Sequence, residues 1–527
     1  MPEPSTNSAS ATASLVKKTT LVSAGMLLSR IAGFARQALL SGVFGLSAEA
    51  DAFGSALRIP NFLQNLFGDG VLSASLIPVY ARLVSSHGQA EADRVARTVL
   101  AILALLTSSI VVVGMITAPQ LVHLISPGFE GAQRELTVTL VRIMFPGVGL
   151  LVGSAWCLAI LNTHGKFFNS YAAPTLWNAA IMAAVWRYRH DTLATVAIAA
   201  AWGVCIGCVL QISAQLPQVL RIMSVGWRQT RLTMAGAVRE VINSSIPVIL
   251  SRGAVQVSAF IDASIASLIG VGAVAALLNA QSLYMFPVSL FGMSISSAAL
   301  PSMSAVSGEK SSRALADHLV AGQRMLLVLM VPSVVAFAAF GDLMVSLLFQ
   351  HGRFQATDTR YVWAVLAGSA VGLIATTVGR FYASAFYALG DTRMPARFAY
   401  VRIALVIVLG FAMALGLPPL LHLDPSWGTP GLTLSAGLAG WVEFAMLRSA
   451  LRTRIADFDV PLSFVLRCWT MAIAAAALTT GLRWVIPVEM RYTRDITMLV
   501  VFGVLYLGGA VAAGAITVTE LRRRLKI

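Results

Sequence analysis

Arginines set inside apolar stretches are the residues of this sequence whose type and spacing ask for chemistry. The run LLSRIAGFARQALLSGVFG at 27–45 carries Ser29, Arg30 and Arg36. At helical spacing Ser29, Gly33 and Arg36 share one face, Arg30 shares another with Gln37, and Gly33 leaves room beside them for a bulky ligand or a bend. A guanidinium in hydrocarbon costs several kcal/mol, from about 3 upward, so it faces water, a partner or a substrate. Two roles are open to Arg30 and Arg36. Either they snorkel to an interface or pair with Asp51 or Asp69 as structural glue, or they line a path with few acids and attract an anion. Phosphate is the anion that the guanidinium fork fits best.

The next stretch, DAFGSALRIPNFLQNLFGDGVLSASLIPVY at 51–80, is too polar to face lipid all round, because Arg58, Asn61, Gln64, Asn65 and Asp69 interleave with its aromatics. Pro60, Gly68 and Gly70 make it breakable, as helices that gate a cavity often are. Further on, Arg252 and Gln256 stand at i, i+4 and are followed by Asp262. Asp262 is read as an ion or proton site, or as the partner of Arg252 or another core group. Asn279, Gln281 and Ser282 precede Pro287, and Arg380 lies deep in VGRFYASAFYALGDTR with its role open.

The elements that position these residues are membrane helices. Of 527 residues, 57% are hydrophobic and 12% charged, which excludes a water-soluble enzyme, a secreted disulfide scaffold and a disordered regulator. Apolar runs between polar punctuation predict fourteen transmembrane segments, centred near 33, 68, 110, 150, 177, 205, 255, 287, 330, 372, 405, 438, 473 and 506. The net charge of +15 comes from 38 Lys and Arg against 23 Asp and Glu. Most of the basic residues fall at the two termini and in even-numbered loops, so the excess reports membrane orientation with both termini cytoplasmic and gives no reason to expect nucleic acid. Cys157, Cys205, Cys208 and Cys468 sit in apolar stretches without metal-ligand spacing and read as small core residues.

The string LLSR at 27–30 returns as ILSR at 249–252, SASLIP at 73–78 as SSAALP at 296–301, and Gly165 as Gly390, at nearly constant spacing. The expected architecture is an all-α polytopic membrane protein. Residues 1–16 form a disordered cytoplasmic tail. Two six-helix lobes, 17–235 and 236–455, are related by a pseudo-two-fold axis along the membrane normal, and two further helices with a basic tail occupy 456–527. Arg252 becomes the counterpart of Arg30. The sequence has no G-x-x-x-x-G-K-[ST], H-E-x-x-H or G-x-S-x-G motif. No cofactor is expected, and transport draws on an ion gradient, the membrane potential or a substrate gradient.

Together SRIAGFARQ at 29–37, the 51–80 stretch, APTLWN at 173–178, LFQHGRF at 348–354 and YALGDTRMP at 387–395 resemble the MurJ (MviN) family of lipid II flippases, within the multidrug/oligosaccharidyl-lipid/polysaccharide exporter superfamily. The resemblance runs from about residue 20 to 520. It implies translocation of an undecaprenyl-pyrophosphate-linked glycopeptide to the outer leaflet of the bacterial cytoplasmic membrane by alternating access. It also implies a monomer among membrane lipid, near the cell-wall synthesis machinery. The family's helix-one cavity arginines correspond to Arg30 and Arg36 with Ser29 beside them, its acidic positions to Asp51 and Asp69, and Arg58 stands where some relatives have Lys. The sequence departs from the pattern at Gln64 and Ser282, where some relatives carry arginine, and at Gln37, where an acid is missing. Arg252 with Gln256 is the expected source of the lost cation. Expected gating or charge-network residues are Asp51, Pro60, Asp69 and Asp262. Rival readings are a flippase for another polyprenyl-linked glycan and a cation-coupled drug exporter. The cationic set disfavours the exporter.

Overall fold

The computed structural model describes residues 6–223, 236–304, 311–455, 457–481 and 491–514, and every regular element among them is helical. Each of the fourteen segment centres lies in a helix or at the break of a helix pair. Among the described residues nine helices are long and apolar enough to cross a membrane, or ten when the bent pair Ala356–Ala370 and Leu373–Ala388 counts as one span. The first helix begins at Thr6, so its backbone runs through 6–16, where the composition suggested a disordered tail. Ala9, Ala11 and Ala13 recur there, and Ala is the best helix former.

The chain divides into two compact units, Met1–Val274 and Ala275–Ile527. The first holds α1 (Thr6–Phe44), α2 (Ala48–Phe67), α3 (Asp69–Ser86), α4 (Gln89–Ile116), α5 (Ala118–Ile125), α6 (Gly131–Thr163), α7 (Phe167–Ala172), α8 (Pro174–Tyr188), α9 (Leu193–Ile222) and α10 (Gly236–Ile269). The repeat had placed α10 at the start of the second lobe, at 236. Side chains instead group it with the first unit. Phe260 meets Phe62 of α2 edge-on at 5.0 Å, Ser245 Oγ donates to Ser75 Oγ of α3 at 2.9 Å, and Arg82 of α3 pairs with Glu240 at 2.5 Å. Sequence repetition records ancestry, whereas packing follows the face that a helix presents.

At the centre of this unit α6 is buried along most of its length, from Leu140 and Met144 to Ile160 and Leu161. It packs against α2, α3, α4 and α9. Near its middle, buried polar side chains bond to neighbouring helices, as hydrocarbon requires. Ser154 Oγ donates to Gln215 Oε1 and accepts from Gln211 Nε2, and Trp156 Nε1 donates to the Ala96 carbonyl. All four cysteines are free, and Cys157, Cys208 and Cys468 are buried, in keeping with a packing role.

The second unit comprises α11 (Ala273–Pro287), α12 (Ser294–Ser304), α13 (Ser311–Phe349), α14 (Ala356–Ala370), α15 (Leu373–Ala388), α16 (Arg393–Phe411), α17 (Leu417–Leu420), α18 (Gly428–Arg452), α19 (Leu462–Gly481) and α20 (Arg491–Ala512). Wider π turns at Val288–Met293 and Ala412–Gly416 interrupt the spans begun by α11 and α16. Such turns are rare and concentrate where function needs a helix to bulge. The last two helices pack on α13, and Tyr506 of α20 donates to the Val328 carbonyl at 2.7 Å. At the other end of the unit, Arg448 and Arg452 bind Asp459, and Arg454 reaches Asp391 at 2.6 Å.

Candidate functional site

The expected site residues of α1, α2 and α10 all belong to the first unit. Ser29, Gly33 and Arg36 are half-buried along one face of α1, and Arg30 is exposed beside them. A Cβ on Gly33 would meet nothing within 4 Å, so the space next to Arg36 is open. The Arg36 guanidinium lies 4.9 Å from the centroid of the Trp177 ring of α8. Its Nε is buried and has no hydrogen-bond partner. Among the described residues no carboxylate pairs with Arg36, and Asp69, one of its two expected partners, lies outside the described side chains. Trp177 was visible in the motif APTLWN, but nothing in the spacing tied it to Arg36, because α1 and α8 meet only in the folded unit.

Trp177 is held by the approach of α9. A Cβ on Gly207 would fall 2.9 Å from the Trp177 Cα and ring, and one on Gly203 3.0 Å from Ile181 Cα. The G-x-x-x-G spacing of α9 therefore lets the two backbones close up, as small residues do between membrane helices. The indole is left as a fixed face beneath the guanidinium. An aromatic face over a partly desolvated guanidinium contributes about 0.5–2 kcal/mol and leaves the edge donors available.

Arg58 is half-buried in α2, and Asp262 of α10 is the carboxylate whose charge acts on it. Asp262 thus serves the α2 arginine; its expected partner Arg252 lies in α10, but its side chain falls outside the described residues. Gln256 is half-buried on the same helix. Gln64 is half-buried in the last turn of α2, where its carbonyl accepts from the Gly68 N–H at 2.7 Å. Pro60 is buried inside α2. The helix breaks at Gly68, whose φ −93° and ψ −138° bring the position of a Cβ to 2.2 Å from the Gln64 oxygen, so only glycine fits. The breakable second segment is thereby broken at one residue, with Asp69 next to it outside the described side chains.

Two further expected residues have defined hydrogen-bond partners. Asp51 is fully buried and its Oδ2 accepts from the Gly272 N–H at 2.6 Å. It ties the start of α2 to the turn after α10. Ser282 belongs to the second unit, where its Oγ donates to the Leu278 carbonyl of its own helix at 2.9 Å. That bond occupies the hydroxyl hydrogen, so Ser282 has only an acceptor to offer.

Arg30, Arg36 and Arg58 place three guanidinium groups on half-buried or exposed side chains of the first unit, and such groups attract anions. The fold is that of polytopic membrane transporters. It matches a solved structure titled "Lipid II flippase MurJ, inward closed conformation" with a TM-score of 0.77 and 19% identity, covering 96% of this chain and 100% of that one. An inward-facing multidrug resistance MATE family transporter of the MOP superfamily matches with a TM-score of 0.68 and 18% identity over 83% and 100% of the two chains. The chain belongs to the lipid II flippase MurJ family: the family's sequence model matches residues 40–504, and the lipid II flippase MurJ of Burkholderia cenocepacia is 31% identical over 467 residues, 88% of each chain.

Proposed function

We propose that this chain carries lipid II, an undecaprenyl-pyrophosphate-linked peptidoglycan precursor, from the inner to the outer leaflet of a bacterial cytoplasmic membrane by alternating access. The observation that carries the reading is Arg36, half-buried over Trp177 beside open space, with an unpartnered Nε. A pyrophosphate supplies the acceptor oxygens that such a fork lacks. Arg30 and Arg58 add positive charge, Ser29 offers a hydroxyl, and Gln256 offers an amide from α10. The Gly68 break gives α2 and α3 a joint about which they can reorient as the site changes sides. The lipid tail stays in hydrocarbon throughout. Both termini lie in the cytoplasm, the protein is a transporter without catalytic residues, and no resident cofactor is needed. The energy comes from an ion gradient, the membrane potential or the substrate gradient.

The test is replacement of an essential lipid II flippase by this chain in living cells, with the leaflet location of the precursor measured directly. Growth with precursor in the outer leaflet is the expected result. A well-expressed protein that leaves the precursor in the inner leaflet refutes the reading and moves it to another polyprenyl-linked glycan.

A further inference from the structure

Arg380 belongs to no part of the site described above. It lies in α15 of the second unit, eight residues before the helix ends at Ala388, or about 12 Å along the axis at 1.5 Å per residue. Its neighbours Thr377, Val378, Gly379 and Phe381 are buried, yet Arg380 itself is exposed. Among the described residues its side chain donates no hydrogen bond and forms no ion pair. An exposed, unpaired guanidinium at that depth does not face lipid, since a charge in hydrocarbon is too costly; it faces water or a ligand.

Neighbouring helices of the second unit carry further polar groups whose electrostatics Arg380 shares. Tyr284 of α11 donates to Thr376 Oγ1, one turn nearer the start of α15, at 2.9 Å, because the Thr376 hydroxyl hydrogen goes to the Gly372 carbonyl, and the charges of Arg402 and Arg380 both act on Tyr284. Arg402 lies nine residues into α16 and Glu443 nine residues before the end of α18, each about 14 Å from those helix ends, and they pair at 3.2 Å. Arg402 Nε is buried with no hydrogen-bond partner. The π turns of this unit follow Tyr284 and Arg402 in their own spans. Two arginines against one glutamate leave this layer with a net positive charge. Glu443 holds Arg402 in place, and Arg380 is the cation left open.

We propose that Arg380 is an oxyanion-binding subsite of the second unit that recognises an acidic group of the carried substrate. Resting on the lipid-linked glycopeptide reading, that group is a carboxylate of the peptide or an oxygen of the pyrophosphate. The guanidinium donates to either, and the same layer would repel a cationic substrate.

The test uses the full chain in lipid nanodiscs and measures binding of three probes: the lipid-linked glycopeptide, the same molecule with its peptide carboxylates amidated, and undecaprenyl pyrophosphate. Arg380→Ala is expected to weaken binding of the acidic glycopeptide by about tenfold or more, as loss of a charge-assisted hydrogen bond does. Arg380→Lys should recover part of that loss, which a merely structural role would not allow. If the amidated probe binds wild type and Arg380→Ala equally, the ligand is the peptide carboxylate. If binding of undecaprenyl pyrophosphate falls as much as that of the glycopeptide, the ligand is the phosphate. Equal binding of all three probes by Arg380→Ala and wild type overturns the subsite while leaving the flippase reading intact. Wild type that binds none of the probes overturns the reading, and the subsite with it.

Discussion

Replacement of Arg36 tests the site most directly, because its geometry separates three contributions. The guanidinium sits 4.9 Å from the Trp177 ring centroid, and its buried Nε is unpartnered in the absence of ligand. Arg36→Ala removes the charge, the fork and the stack together. Two charge-assisted hydrogen bonds at about 1.5–3 kcal/mol each correspond to a loss of affinity of roughly a hundredfold or more. Arg36→Lys keeps the charge and one donor but loses the planar fork, so a loss on the order of tenfold is expected. Trp177→Ala removes only the stack, about 0.5–2 kcal/mol, and should cost roughly 2- to 30-fold. Trp177→Phe should lie between Trp177→Ala and wild type. The assays are binding of purified protein to the lipid-linked glycopeptide and outer-leaflet appearance of precursor in cells relying on each variant, at matched membrane levels. The order wild type, Trp177→Phe, Trp177→Ala, Arg36→Lys, Arg36→Ala is the expected ranking. Full flipping by Arg36→Ala at wild-type abundance would refute the reasoning, and so would a Trp177→Ala defect larger than that of Arg36→Ala.

Other outcomes follow from individual contacts. Asp51→Ala leaves the buried Gly272 N–H without its acceptor and should lower stability by about 1.5–3 kcal/mol, read as a drop in melting temperature; Asp51→Asn should lose less, because it keeps an acceptor oxygen. Gly68→Ala places a Cβ 2.2 Å from a backbone oxygen, so the break between α2 and α3 must shift, and loss of flipping with the protein still folded is the expected result. A chain that transports normally with Gly68→Ala would show that the break is dispensable. Asp391, in the turn before α16, is held below the usual carboxylate range by the Met394 N–H first and by Arg454 next. A depressed folded pKa stabilises above the unfolded value near about 4 and is lost as pH falls through the folded value. Acid unfolding of Asp391→Asn should therefore show a smaller loss of stability over that range than wild type, and an identical acid profile would count against the contact.

Much of the architecture was legible without coordinates. Hydrocarbon allows little besides apolar helices, so composition and the spacing of polar breaks located all fourteen segment centres. The face shared by Ser29, Gly33 and Arg36 was equally legible, since neighbours on one helix follow from its 3.6-residue turn. Gly68 was read as one of three weak points in its segment, and the structure singles it out through a backbone oxygen that no spacing rule reveals.

Contacts between helices were beyond reach. Asp51 and Asp262 are both acids near arginines in the sequence, yet one is a buried anchor on Gly272 and the other the charge acting on Arg58. The repeat put α10 with the second lobe, while Phe260, Ser245 and Glu240 bind it to α2 and α3. By itself the amino-acid order determined that this is a polytopic helical membrane protein and which apolar helices carry arginines. Tertiary structure alone decided that Arg36 rests on Trp177 and that Arg380 is the open cation of its layer. The physical reason is range: periodicity and hydropathy act along one helix, whereas an arginine's partner is set by which helix packs beside it.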